Sequence, residues 1–217
     1  STFPRLFRLR ALDSSPVIMS SFVASQQRSP MYRSLVRLSQ AKGARQKLIE
    51  KVVRVDHAGE LGADRIYAGQ MAVLSNSSLS SVVRHMWDEE REHLRAMERL
   101  SSKHNVPHSK FTPLFSAAGF ALGAGTALLG SKPAMACTIA VEELITRHYN
   151  DQIKELVDDD PETHKDLLEL LKRLRDEEAE HHQMGIDHDG LEAPAYNALK
   201  WIIQSGCRAA IWLAERI

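Results

Sequence analysis

One pattern, written twice, constrains this chain more than any other feature. Glu60 is followed by Glu90-x-x-His93, and Glu142 by Glu178-x-x-His181. The second part of each copy lies in a matching hexapeptide, Asp88-Glu89-Glu90-Arg91-Glu92-His93 and Asp176-Glu177-Glu178-Ala179-Glu180-His181. Residues three apart on a helix share a face, so each Glu-x-x-His aims a carboxylate and an imidazole in one direction. Two such helices, joined by one glutamate from each of two others, supply the donors of a carboxylate-bridged dinuclear metal site inside a four-helix bundle. No loop residue is needed.

Acidic runs usually form a solvated face, but helical phase points the other way here. Leu79, Val83 and Met86 lead into Glu90 and His93, and the apolar series resumes at Met97 and Leu100. Leu167, Leu171 and Leu174 lead likewise into Glu178, His181 and Met184. The charged pairs therefore interrupt the core stripe instead of lying opposite it. Buried carboxylates without a partner are costly, so an inward cluster calls for a cation. Glu142 continues the series Met135, Ile139, Tyr149, Ile153, whereas Glu143 falls with Arg147, Asn150 and Lys154 on a polar strip. Glu60 shares its stripe with Ile49, Val53, Tyr67, Met71 and Leu74. Tyr67 and Tyr149 each stand two turns beyond the unpaired glutamate of their helix. Tyr149 and its neighbour His148 are expected beside the metal as outer hydrogen-bond partners; Tyr67 and His57 read more simply as core residues. Glu89, Glu92, Glu177 and Glu180 read as surface ion-pair residues.

The periodic segments predict an all-α fold with helices near 44–74, 79–104, 113–157 (broken at Lys132-Pro133), 162–187 and 195–216. Each copy of the metal pattern is then one antiparallel helical hairpin. Cys137 and Cys207 are too few for a Cys₄ site and read as small buried hydrophobes. The formal net charge of zero hides a split: residues 1–47 carry nine Lys/Arg against Asp13 alone. That Arg- and Ser-rich stretch has the composition of a mitochondrial targeting segment, and the expected division is a targeting region at 1–44 and a helical domain at 45–217. No basic–aromatic surface suggests nucleic acid. Residues 111–131 hold no charge, and the last helix carries Trp201, Ile202, Ile203, Ile211, Trp212 and Leu213. These segments are expected to lie on a membrane surface, or to wall a hydrophobic channel, and not to span the bilayer.

Several long motifs now carry a resemblance. Val55-Asp-His-Ala-Gly-Glu60-Leu-Gly-Ala, Arg65-Ile-Tyr-Ala-Gly-Gln-Met-Ala-Val73, Gly119-Phe-Ala-Leu-Gly-Ala-Gly-Thr-Ala-Leu-Leu-Gly130, Ala134-Met-Ala-Cys-Thr-Ile-Ala-Val-Glu-Glu143 and Ala193-Pro-Ala-Tyr196 resemble the mitochondrial demethoxyubiquinone hydroxylase family from about residue 45 onward. The resemblance implies a ferritin-like di-iron monooxygenase that uses O₂ to hydroxylate the benzoquinone ring of demethoxyubiquinone, giving demethylubiquinone in the penultimate step of ubiquinone biosynthesis. Its ligand pattern falls on Glu60, Glu90, His93, Glu142, Glu178 and His181. It further implies two iron ions, NADH as the source of electrons, and a peripheral position on the matrix side of the mitochondrial inner membrane. A lipid-binding partner protein of the same pathway is implied too, while assembly into a homo-oligomer or multi-enzyme complex stays open. Hard carboxylates with imidazole suit ferrous iron. A ferritin- or rubrerythrin-like protein that stores iron or reduces peroxide shares the ligands and is the alternative; the apolar helices and the missing Cys pairs argue against it.

Overall fold

The computed structural model describes residues 30–216, so most of the expected targeting segment lies outside the described residues. Among the described residues there are six α-helices and no strand: α1 Pro30–Leu74, α2 Ser80–His104, α3 Thr112–Leu128, α4 Ser131–Asp159, α5 Lys165–Asp187 and α6 Tyr196–Ala214, with a 3₁₀ turn at Gly190–Glu192. Packing divides the chain into residues 1–46 and residues 47–217. In the first unit, residues 30–46 are helical with mostly exposed side chains. Everything below concerns the second.

Two of the expected helix limits move. Helix α1 begins at Pro30 and not near 44. The helix expected over 113–157 is two helices, parted at Gly130 and not at Lys132-Pro133. Gly130 adopts φ 124°, which a side chain would oppose. Pro133 sits in the first turn of α4, where its missing N–H costs nothing.

Helices α1, α2, α4 and α5 form the ferritin-like bundle. Two apolar clusters fill it. One gathers Tyr67, Met71 and Leu74 of α1, Val83 and Met86 of α2, and Ala134 and Met135 of α4. The other gathers Val52, Met97, Leu156, Leu167, Leu171 and Leu174 from the same four helices. Along each helix the metal-pattern glutamate lies between the residues of one cluster and those of the other, which is why the charges fall inside the core stripe. Fully burying each such side chain contributes about 1.5–3 kcal/mol, and this offsets the cost of a polar layer between the clusters.

Helices α3 and α6 pack on α1 and α4, through Val55, Ala58, Phe115 and Ala214 on one patch and Ile66, Cys137, Val141 and Ile203 on another. Where α3 crosses α1 the backbones nearly touch. A β-carbon on Gly123 would stand 1.9 Å from the Ile66 carbonyl oxygen, and one on Gly69 would stand 2.2 Å from that of Phe120. Among the described residues no helix is long and apolar enough to cross a membrane.

Candidate metal centre

All six predicted ligands meet in the middle of the bundle, none more than 2% exposed. The donor atoms of Glu60, Glu90, His93 and Glu178 lie within 4.8 Å of one another, and so do those of Glu90, Glu142, Glu178 and His181. Two four-donor groups therefore share Glu90 and Glu178. His93 Nδ1 stands 3.1 Å from Glu178, 3.5 Å from Glu60 and 3.7 Å from Glu90. His181 Nδ1 stands 3.0 Å from Glu90 and 3.4 Å from Glu178. Both imidazoles thus turn the same nitrogen into the cage.

Their other nitrogens are held from outside. His93 Nε2 bonds Glu177 at 2.8 Å, and His181 Nε2 bonds Glu89 at 2.9 Å. This corrects the reading of Glu89 and Glu177 as surface ion-pair residues: each holds the imidazole of the opposite hairpin. Glu177 is itself held by Arg173 at 3.0 Å. Glu92 pairs with Arg95 on the surface, as expected. Such outer partners fix a ligand imidazole's orientation and tautomer.

The tyrosines cross over in the same way. Tyr149 of α4 donates its hydroxyl to Glu60 of α1, and Tyr67 of α1 donates to Glu142 of α4 at 2.8 Å. Tyr67 is therefore as close to the cage as Tyr149. Burial first, and then the charge of the glutamate each one faces, pushes both phenols well above their ordinary range and keeps them hydroxyl donors. His148 has another partner: its Nε2 lies 3.5 Å from Asp56, on a polar cleft that it lines with Arg147, Asp151 and Arg208. Six residues past Glu142 is too far round the helix to share its face. His57 stacks on His108 with ring centroids 3.6 Å apart and does not join the cage.

A metal pair fits this donor set. Buried oxygens of Glu60, Glu90, Glu142 and Glu178 lack a hydrogen-bond partner, an arrangement that is costly unless a cation satisfies it. Protons respond in the metal-free cage. Burial raises Glu60 to about 8, with Glu178 and Glu90 adding to the rise and His93 opposing it. Burial raises Glu142 well above the carboxylate range too, with the charges of Glu178 and Glu90 behind it. For Glu178 burial is outweighed by hydrogen bonds from His181 and His93, which bring it down to about 2. His181 is lifted to about 12, because the bonds to Glu178 and Glu90 overcome burial; His93 is lifted likewise by Glu178, Glu60 and Glu90. The carboxylates thus favour positive charge at the centre of the cage, which a pair of metal ions would supply.

Beside the cage, between α1, α3, α4 and α6, lies an apolar cavity of about 360 Å³. Gly59, Gly62 and Ala63 line it around Glu60 in the chain, and Val141 and Ile145 line it around Glu142, but none of the six ligand residues does. Leu122 and Phe115 of α3 and Ile203, Cys207 and Ile211 of α6 close the other walls.

Residues 47–214 match the family described as ubiquinone biosynthesis protein COQ7. This chain belongs to that family. A Caenorhabditis elegans relative is 66% identical over 187 residues, covering 86% of this chain and all of its own, and is named NADPH-dependent 3-demethoxyubiquinone 3-hydroxylase, mitochondrial. A human protein of the same name is 56% identical over 169 residues, 78% of either chain. The 3-demethoxyubiquinol 3-hydroxylase of Rhodospirillum rubrum is 45% identical over 171 residues, 78% of this chain and 79% of its own.

Proposed function

We propose that this COQ7-family chain is a di-iron monooxygenase that hydroxylates the benzoquinone ring of demethoxyubiquinone to give demethylubiquinone, the penultimate step of ubiquinone biosynthesis. The observation that carries the reading is the pair of buried four-donor groups sharing Glu90 and Glu178 in a chain whose relatives are named hydroxylases of this substrate. Glu60 and His93 would hold one iron, Glu142 and His181 the other, with Glu90 and Glu178 between them. Bound iron would supply O₂ activation, with one oxygen atom going to the ring carbon and the other leaving as water. Electrons come from a nicotinamide. The relatives' names carry NADPH, which favours it over the NADH suggested by sequence resemblance.

The chain's own residues do the rest. Glu177 and Glu89 hold His93 and His181 with Nδ1 inward. Tyr149 and Tyr67 keep Glu60 and Glu142 in place through bonds that cross the bundle. The apolar cavity takes the ring and the first part of the polyprenyl tail and keeps bulk water out. Burying a tail is favourable by about 0.8 kcal/mol per CH₂, so the substrate moves between apolar surroundings without crossing water. Exposed Phe120 and Leu128 on α3 and Leu129 just past its end, with Trp201, Ile202 and Trp212 on α6, supply those surroundings at the protein's edge. They support peripheral attachment to a membrane and docking of a lipid-binding partner. Relatives named mitochondrial and the basic N-terminal segment support import and a place on the matrix side of the inner membrane. The iron-storage and peroxide-reducing alternative has no such support among the relatives.

The test is conversion of a short-tailed demethoxyquinone by iron-loaded protein with NADPH and O₂. The hydroxylated quinone is the expected product; NADPH oxidation with no ring hydroxylation would overturn the reading.

A further inference from the structure

Among the helical glycines of α1, α3 and α6, Gly43 and Gly125 are open and lie outside the cavity, and the other six are of two kinds. Gly69, Gly119 and Gly123 lie where helices touch, and an added β-carbon on any of them would stand within 2.7 Å of another helix's backbone. Packing requires these. Gly59, Gly62 and Gly206 all line the apolar cavity, and a β-carbon there would meet no protein atom within 4 Å. Alanine would fit each of the three and would strengthen the helix, since glycine is the poorer helix former. Packing within the chain therefore gives no reason for glycine at these positions, and the cavity does: each added methyl would narrow it. Gly59 and Gly62 share one face of α1 with Val55 and Ile66, directly beside Glu60, and Gly206 stands with Cys207 on the α6 wall.

Resting on the functional reading above, we propose that Gly59, Gly62 and Gly206 are specificity-determining positions that size the cavity for the substrate. Gly59 and Gly62 make room for the substituted quinone ring next to Glu60, and Gly206 makes room for the first isoprene units on the α6 side. The helix stability given up at each position is the counterpart of that room.

The experiment compares Gly59→Ala, Gly62→Ala and Gly206→Ala with two controls: Gly125→Ala, on an exposed position of α3 outside the cavity, and Gly123→Ala, at the α1–α3 crossing. Melting temperature, iron content, the equilibrium Kd for a demethoxyquinone bearing two isoprene units, and KM for the same compound are measured. Each cavity variant should melt about 2–4 °C higher than the starting protein and keep its iron. Its Kd and KM should rise about tenfold or more, the effect of one extra carbon in a fitted apolar pocket. Gly125→Ala should gain the same stability with Kd and KM unchanged, and Gly123→Ala should melt lower. Unchanged Kd in Gly59→Ala and Gly62→Ala would overturn the proposal, as would a drop in melting temperature like that of Gly123→Ala. Should the unsubstituted protein bind the quinone without hydroxylating it, the functional reading fails, and the Kd comparison still decides the glycines.

Discussion

The two sides of the carboxylate cage are built from opposite materials. Toward α2 and α5 the imidazoles rest on Glu89 and Glu177, whose side chains are 35% and 28% exposed, so the polar support of the metal site runs out to solvent. Toward α1 and α4 the bundle is overlaid by α3 and α6, and the space between is an apolar cavity. One bundle thus keeps its charged supports and its apolar cavity on different faces. The difference teaches that the repeated pattern accounts for the symmetric, polar half of the region, while the added helices account for the apolar cavity beside it.

The comparison breaks most severely if the cage is opened. Glu178→Ala removes a donor common to both four-donor groups and should abolish iron binding and reduce activity to background, with helicity by circular dichroism retained; His93→Ala should do the same. Full activity in either would end the ligand assignment, and Glu143→Ala, on the outer strip, should cost little. On the polar side, Glu177→Gln or Glu89→Gln should lower iron affinity or turnover about 10–100-fold, measured by iron titration and steady-state rate. Tyr149→Phe should slow turnover about tenfold with iron content kept.

The apolar side should fail differently. Leu128→Glu combined with Trp212→Glu, both exposed and outside the cavity lining, should weaken liposome binding and long-tail turnover severalfold or more while iron content and activity on a tail-less quinone persist. If flotation and long-tail rates both survived, access through α3 and α6 would be wrong.

Two pH effects sharpen the contrast further. In the metal-free cage His181, raised to about 12, and Glu60, raised to about 8, hold protons at neutral pH. Iron uptake should therefore release protons, and affinity should weaken as pH falls; calorimetry in buffers of different ionisation heat measures the count. Away from the cage, burial and then His108 hold His57 down to about 4 from an ordinary 6.5. The unfolded chain takes that proton first, so the contribution of His57 to stability is complete above 6.5 and lost as pH falls toward 4. His57→Phe should remove on the order of 1–3 kcal/mol of the acid-induced loss, read from denaturant midpoints.

How much of this was legible depended on whether a residue's role follows from its place on one helix. The six residues that meet in the cage did, because each interrupts an apolar stripe of its own helix at a fixed phase. Glu89 and Glu177 did not: on one helix they look like solvent-facing acids, and only the crossing of two hairpins brings each to the other's histidine. The twin Glu-Glu-x-x-His hexapeptides held that signal, since both copies place an acid just before the ligand glutamate. Tyr67 was legible in position but not in partner, for the same reason. For His148, expected beside the site from its distance along the chain after Glu142, the partner found is Asp56 of α1, which its place on one helix could not name. The break at Gly130 was displaced by giving Pro133 more weight than a glycine in the left-handed region. Of the cavity only two walls were legible, residues 111–131 and the last helix as sides of a hydrophobic channel; its place against α1 and α4 was not, since it arises where glycines and alanines of separate helices fail to fill the space between them.

The central claim is tested most directly by running the iron-loaded enzyme with a short-tailed demethoxyquinone and NADPH under ¹⁸O₂ and weighing the product. The account predicts one ¹⁸O atom in each hydroxylated ring, with the label absent when Glu178→Ala replaces the intact protein. A ring hydroxyl carrying oxygen from water, or O₂ consumed with no labelled product, would contradict it.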